Sequence, residues 1–327
     1  MRLLALLGML ILTSGCAQKL GRVLTTPQSR DTGPIYLATL SEITEKATLM
    51  ATDRYLIATG ARSGFGAYDF SSGAFISGSS ALPVNPNVPN FLDGNAANVL
   101  SMVQVNSHLY VSSQTGLYQI NTANISFSQV TLALPYSFPN LFASFNPNSN
   151  VPQFNEAAKD QFRWNSMVYV PNLNQIWGFR GNVMARLNIG TLSSDPRPQI
   201  QPLPINTSCG GVEKQSSAIF QGKVFVAACS QVLVLDPNTG SATGNFPFQI
   251  NPVQVVATAN RLYVHHQPVS SWGQVSGSAL AGVYVFDANL NYINYIDIQP
   301  ISFAISPNDQ IIYANEDNSS VNVYRIP

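Results

Sequence analysis

Residues 222–240 read GKVFVAACSQVLVLDPNTG, and this stretch contains the pattern that recurs along the chain. A polar turn leads into an apolar strand, a small polar turn follows, and a second apolar strand ends at Asp236 before the PNTG turn. Short apolar strands separated by turn residues predict antiparallel β-structure. The same order occurs at 53–74, 107–124, 174–191, 260–266 with 281–291, and 309–326.

A polar residue marks the end of the second strand in these stretches: Asp69, Asn121, Asn188, Asp236, Asp287 and, by position, Arg325. Their mean spacing of about 51 residues is typical of a four-stranded propeller blade with its loops. We therefore predict an all-β chain that forms a single β-propeller of six four-stranded blades, with seven as the alternative. The last repeat ends at Pro327 after its third strand. Residues 34–40 could supply the missing outer strand, so that the N- and C-terminal segments pair and close the ring.

A resemblance to a known repeat supports this fold. Residues 223–264, KVFVAACSQVLVLDPNTGSATGNFPFQINPVQVVATANRLYV, are similar to the YVTN-type propeller repeat, which is WD-repeat-like. The shared features are an apolar strand, a VLVLD strand, an NTG turn and an NP pair that leads into the next blade. The resemblance implies a propeller and an exported location. It implies no particular function, because this scaffold serves many roles.

The N-terminus predicts export and a lipid anchor. Arg2 precedes ten uncharged residues at 3–12, which are too few to span a bilayer as a helix but suit a secretory signal. The following TSGC resembles the lipobox of bacterial lipoproteins, with Thr13 where Leu is usual, and implies lipidation of Cys16. Ala17 after the Cys favours the outer membrane by the same resemblance. We expect a signal peptide at 1–15, a lipid-anchored flexible linker at 16–33 and the propeller at 34–327. An ordinary cleaved signal with an incidental Cys is the alternative.

Charge and cysteine content limit the possible partners. The chain has 16 Lys and Arg against 16 Asp and Glu, so that no strong basic field is available to attract nucleic acid, and membrane contact is expected through the lipid anchor only. Cys209 and Cys229 remain as an even pair in an oxidising compartment. In a propeller blade the connection into the first strand and the end of the second strand lie on one face, which predicts a disulfide between them. Two unrelated thiols are the alternative.

Three long irregular stretches, at 81–97, 135–162 and 265–281, are predicted to emerge on one face of the propeller. Long loops that carry aromatic, Asn, Ser and Gly residues on a rigid scaffold are typical of recognition surfaces. Alternatively, the aromatic residues of 135–162 pack beneath their own loop. The candidate binding face comprises Arg62, Tyr136, Phe138, Phe142, Phe145, Arg163, Arg180, His265, His266 and Trp272.

No motif for catalysis, a metal or a cofactor is evident, and we predict none of the three. His265 and His266 are adjacent and should point to opposite faces of a strand, so they cannot easily bind one metal. We expect an envelope lipoprotein whose loop face binds a protein or glycan partner. The alternative is a propeller-type hydrolase or lyase that acts on a sugar, lactone or peptide at the central channel. That chemistry needs acidic, His or Arg side chains on the inner strands, and VLSMVQV at 99–105 and SSAIF at 216–220 have none.

Overall fold

The structure of the chain is a computed structural model, and the regular secondary structure of its described residues is almost entirely β-strand. The residues that it describes are 33–42, 47–60, 64–73, 75–77, 99–113, 116–122, 131–132, 164–181, 183–192, 198–203, 216–228, 231–248, 252–267, 269–270, 273–274, 280–317 and 320–326. In this part of the chain the helical structure is a single 3-10 turn, Pro171–Leu173. No helix in these ranges has the length and hydrophobicity needed to cross a bilayer.

Within the described ranges the strands form six four-stranded antiparallel sheets and one small hairpin. We number the sheets in chain order of their innermost strands. The strand that begins the chain is β1 (Ile35–Leu40). The first sheet contains β2 (Ala47–Ala51), β3 (Tyr55–Gly60), β4 (Gly64–Asp69) and β5 (Phe75–Ser77). The second contains β6 (Val99–Val105), β7 (His108–Ser113), β8 (Gly116–Asn121) and β9 (Thr131–Leu132). The third contains β10 (Ser166–Val170), β11 (Gln175–Arg180), β12 (Val183–Asn188) and β13 (Gln199–Pro202).

The remaining sheets follow the same order. The fourth contains β14 (Ser216–Phe220), β15 (Lys223–Ala228), β16 (Gln231–Leu235) and β17 (Ala242–Asn245). The fifth contains β18 (Pro252–Ala257), β19 (Leu262–His266), β22 (Gly282–Phe286) and β23 (Tyr292–Ile296), and the hairpin of β20 (Val269–Ser270) and β21 (Gly273–Gln274) is inserted between its second and third strands. The sixth combines β24 (Ser302–Ile305), β25 (Ile311–Asn315) and β26 (Val321–Arg325) with β1.

Neighbouring sheets contact one another through their innermost strands. These contacts join β2 to β6, β6 to β10, β10 to β14, β14 to β18, β18 to β24 and β24 to β2. Five sheets come from successive parts of the chain, whereas the sixth is composite because β1 pairs antiparallel with β26. The prediction of an all-β single propeller is confirmed.

The core lies between adjacent sheets. Between the fourth and fifth sheets, Phe225 and Phe246 pack with Phe286, and the Phe246 and Phe286 rings lie 5.2 Å apart in an edge-to-face arrangement. Between the second and third sheets, Trp164 packs with Tyr110. Burial of these large aromatic side chains stabilises both junctions, because each such side chain removes about 150–250 Å² of mainly apolar surface from water.

The polar end markers occupy the predicted positions at the ends of the third strands. Asp69, Asn121, Asn188 and Arg325 end β4, β8, β12 and β26, and Asp236 and Asp287 directly follow β16 and β22. The Oδ1 atom of Asp236 accepts the N–H groups of Asn238 and Thr239, at 2.7 and 3.1 Å. Asp69, Asn188 and Asp287 accept backbone N–H groups of their turns in the same way. These side chains therefore hold the connections between third and fourth strands.

Residues 265 and 266 belong to a strand, as the repeat at 260–266 predicts, and their inclusion in the irregular stretch 265–281 is wrong. His265 and His266 are the last residues of β19, where they pair with Val283 and Gly282 of β22. Both are buried, with 0% and 2% of their surface exposed. The strand extends through the two imidazoles because β22 supplies a continuous apolar partner, Gly282–Phe286.

Candidate functional site

The two faces of the propeller differ in their connections. We call the face that carries the connections from first to second and from third to fourth strands the turn face. Several of its connections are very short, such as Asn106–Ser107 and Gln221–Gly222. We call the opposite face, which carries the connections from second to third strands and between sheets, the loop face. The strand ends that flank the three long stretches, Ser77 and Val99, Leu132 and Ser166, and His266 and Gly282, all lie at this face.

A channel of about 640 Å³ runs between the innermost strands of the six sheets. Its wall is formed by residues of β2, β6, β10, β14, β18 and β24. Among the described residues that line it there is no Asp, Glu, His, Lys, Arg or Cys, and Tyr169 is the one titratable side chain. The Tyr169 hydroxyl donates to Asn174 Oδ1 at 3.1 Å, close to the turn face. The described wall is therefore neutral.

Polar side chains form a collar near the loop-face end of this channel. Their members lie within the first residues of their strands and are Ser101, Ser166, Ser216, Ser217, Gln254 and Ser302. We call this set the polar collar. Each member bonds to a neighbouring sheet, because the backbone groups at the inner edge of a first strand have no further strand to pair with.

The hydrogen bonds of the polar collar connect five pairs of neighbouring sheets. Ser101 Oγ donates to the carbonyl of Trp164 at 2.7 Å, and Ser166 Oγ lies 2.5 Å from Ser217 Oγ. Ser216 Oγ exchanges two bonds with the backbone of Val255.

Gln254 makes the same kind of double bond to the next sheet. Its Nε2 donates to the carbonyl of Phe303 at 2.9 Å, and its Oε1 accepts the N–H of Phe303 at 3.0 Å. Ser302 Oγ then accepts the N–H of Leu49 at 3.1 Å, which links the sixth sheet to the first. The collar thus presents hydroxyl and amide groups without net charge, a set that can hydrogen-bond a peptide backbone or a sugar hydroxyl.

The predicted site residues fall into three groups. Arg180 is exposed at the loop-face end of β11. His265 and His266 need correction as members of an exposed face, since both are buried and the His266 ring packs edge-on against Tyr284 at 5.9 Å. The remaining residues lie outside the described residues: Cys16, Arg62, Tyr136, Phe138, Phe142, Phe145, Arg163, Cys209, Cys229 and Trp272.

The structure also places acidic groups beside the seam where β1 joins β26. Glu316 accepts hydrogen bonds from the Tyr324 hydroxyl at 2.5 Å and from Asn322 Nδ2 at 2.9 Å. Burial and this carboxylate raise the pKa of Tyr324 to about 12. In the connection after β1, Glu42 accepts from the Tyr68 hydroxyl at 2.5 Å, and this bond lowers the pKa of Glu42. These carboxylates are held by tyrosines, so they act first as structural acceptors.

No group of three or more His, Cys, Asp or Glu that could hold a metal ion occurs among the residues placed by the structure.

The polar collar was missed by the sequence interpretation because isolated Ser and Gln residues in strands carry no distinctive pattern. Only the juxtaposition of neighbouring first strands reveals it.

Comparisons with known proteins identify the fold. No protein-family model matches the sequence, and no curated protein matches it. A chain in the "Crystal Structure of Mitotic Checkpoint Complex" is similar in structure, with a TM-score of 0.53 and 9% identity over 94% of this chain and 100% of that chain. The Pan2 WD40 domain of Neurospora crassa is similar with a TM-score of 0.52 and 9% identity, over 92% of this chain and 91% of that chain. At this identity the likeness concerns the fold alone, and the chain therefore has a WD40-like β-propeller fold.

Proposed function

We propose that this protein is an envelope lipoprotein, anchored in the bacterial outer membrane through Cys16, whose propeller binds a protein or glycan partner at the loop face. It would act as a scaffold or recognition module. Propellers of the WD40 type commonly serve as protein-interaction scaffolds, and the neutral hydroxyl and amide groups of the polar collar are compatible with either partner.

The difference between the two faces is the observation that carries this proposal. On the turn face, side chains such as Asp236 and Asp287 are engaged in holding their own connections. The loop face carries the polar collar, the channel mouth and the strand ends from which the three long stretches depart. Binding residues commonly lie on long loops that a rigid scaffold positions.

The neutral wall favours binding over the alternative of a hydrolase or lyase. A general acid or base must be a titratable group within reach of the substrate. The described wall offers Tyr169 alone, and its hydroxyl is bonded to Asn174. We therefore propose recognition as the function of the channel mouth.

We further propose that the six four-stranded sheets act as six blades of one ring that the two chain ends close. Support comes from the contacts between β24 and β2 and from the pairing of Ile35–Leu40 with Val321–Arg325. Such closure leaves fewer exposed sheet edges.

Replacement of Cys16 tests the anchor. In cells given a labelled fatty acid, we expect label on the wild-type chain and none on Cys16→Ser, which should be released into the periplasm. Cys229→Ser is the matched control and should keep the label. An unlabelled wild type, or label that persists on Cys16→Ser, would refute lipidation at this residue.

Shortening the long stretch at 135–162 tests the binding face. Loop length has a small entropic effect, about 0.6 kcal/mol per doubling, so the fold should persist. We expect loss of partner binding after this deletion, whereas Asp236→Asn on the turn face should bind normally. A folded deletion variant with normal binding would exclude the loop as the binding element.

A further inference from the structure

We infer that the part of the propeller edge formed by the first residues of β1 touches the membrane surface. In this orientation the loop face points away from the bilayer. The inference rests on the proposed anchor at Cys16. It adds a second membrane contact, made by the folded domain itself, and an orientation for the binding face.

The topology places the beginning of β1 at the turn face. The connection between β25 and β26 lies at the loop face, so β26 runs toward the turn face and ends there at Arg325. Because β1 is antiparallel to β26 and Ile35 is opposite Arg325, the chain that precedes Ile35 joins the sheet from the turn-face side. Leu40, opposite Val321, lies at the loop-face end.

The beginning of β1 exposes three consecutive large apolar side chains. Ile35, Tyr36 and Leu37 have 54%, 56% and 41% of their surface exposed. The other large apolar residues with comparable exposure among the described residues, Ile200 and Ile293, are isolated on β13 and β23. We call Ile35, Tyr36 and Leu37 the β1 patch. Tyr36 keeps this exposure although its ring packs edge-on against Tyr324 and its hydroxyl bonds to Thr39 Oγ1. Exposed apolar side chains that are close together on an edge strand mark an interaction site, and Tyr is enriched where proteins meet the membrane interface.

The β1 patch is also at a sheet edge. β1 is the outermost strand of its sheet in the described part of the chain, so one row of its backbone groups faces outward. Such groups cannot enter the hydrocarbon region, where they would lack hydrogen-bond partners. Contact at the level of the lipid headgroups keeps them hydrated while the apolar side chains are partly buried.

The charges near the β1 patch are compatible with contact at an anionic membrane surface. Arg325 is exposed opposite Ile35. The residues between Cys16 and the patch contain Lys19, Arg22 and Arg30 against the single acidic Asp31. Anionic headgroups attract basic residues near the surface, although the chain as a whole is nearly neutral.

At the loop face, the other end of the seam between β1 and β26 carries acidic residues. Asp317, which is exposed, and Glu316 follow β25 at the loop face. The exposed Arg325 at the turn-face end of the seam and the exposed Asp317 at its loop-face end favour one orientation of the domain on an anionic surface. The tether alone cannot set this orientation, because the 18 residues between Cys16 and Ile35 could extend over roughly 60 Å.

Fluorescence quenching in vesicles tests the orientation. The purified lipidated full-length chain is inserted into phosphatidylethanolamine–phosphatidylglycerol vesicles that contain a lipid with a headgroup quencher. A fluorescent amino acid is introduced by stop-codon suppression at Leu37 or at Asp317, both exposed positions. We expect strong quenching at position 37 and at least threefold weaker quenching at position 317.

Matched variants test the role of the β1 patch. Ile35→Ser with Tyr36→Ser should abolish the difference between the two labels, because it removes most of the apolar surface of the β1 patch. The pairing of β1 with β26 should persist through its backbone hydrogen bonds, although the edge-on contact between the Tyr36 and Tyr324 rings is lost. Ile200→Ser with Ile293→Ser removes similar exposed apolar surface elsewhere and should leave the difference intact.

The outcomes separate the two proposals. A chain that does not float with the vesicles overturns the anchor and this inference together. A chain that floats with equal quenching at both positions, or with stronger quenching at position 317, overturns the orientation alone. A difference that survives Ile35→Ser with Tyr36→Ser overturns the assignment of the contact to the β1 patch.

Discussion

Gln254 offers a direct test of the hydrogen bonds that join neighbouring sheets. Gln254→Ala removes both bonds to the backbone of Phe303, at 2.9 and 3.0 Å. Each such bond contributes about 0.5–1.5 kcal/mol, so the loss should be about 1–3 kcal/mol. Gln254 is half-buried beside the channel, and water can therefore reach the freed backbone groups. We therefore expect no additional loss of stability from an unsatisfied buried N–H and C=O of Phe303.

Urea unfolding of the soluble Cys16→Ser form, followed by tryptophan fluorescence, measures this loss. Gln104→Ala is the matched control, because Gln104 also lines the channel but donates locally to the carbonyl of Asn106 at an exposed site. We expect its effect to be below about 0.5 kcal/mol. A Gln254→Ala variant as stable as Gln104→Ala would refute the view that the polar collar holds neighbouring sheets together.

Three further predictions concern packing, pH and covalent structure. Gly178→Ala should destabilise the fold by about 3 kcal/mol or more in the same assay, because a Cβ there would lie 1.9 Å from a ring atom of the buried Trp164. A loss of stability below about 1 kcal/mol would contradict this packing. Hydrogen bonds from the Ser71 hydroxyl and N–H lower the pKa of Asp69 from 3.8 to about 2. Its contribution to stability should thus be complete above about pH 4 and fade as the pH falls through 2, and a carboxyl that titrates near 4 by NMR would disprove this. Non-reducing peptide mapping should join Cys209 to Cys229, whereas alkylation of both without reduction would exclude the disulfide.

The regular part of the fold could be predicted because its chemistry repeats along the chain. An apolar strand that ends in Asp or Asn before a turn appears at Asp69, Asp236 and Asp287, and each of these side chains accepts backbone N–H groups locally. Such local bonds need no knowledge of the tertiary structure. The outer strand at 34–40 was also predictable, since the last repeat lacked one.

The polar collar and the burial of the two histidines depend on neighbours that are distant in sequence. Ser166 meets Ser217, 51 residues away, only because β10 and β14 are adjacent in the propeller. His265 and His266 are buried because the neighbouring strands of their sheet and other packed side chains surround β19, whereas the sequence analysis placed them on the exposed binding face. The exposure of Ile35 to Leu37 was likewise invisible in a pattern that simply predicts an edge strand.

Site-specific photo-crosslinking in living cells tests the central claim, that the loop face is the binding face. A photoreactive amino acid at Arg180 or Asp317 reports on the loop face, and the same group at Asn106 or Gln221 reports on the turn face; all four residues are exposed. We predict adducts of higher mass at Arg180 and Asp317 and none at the other two positions. A partner that is degraded by protease is a protein, and one that is degraded by glycosidase is a glycan. Adducts confined to Asn106 and Gln221 would contradict the account and place the binding site on the turn face.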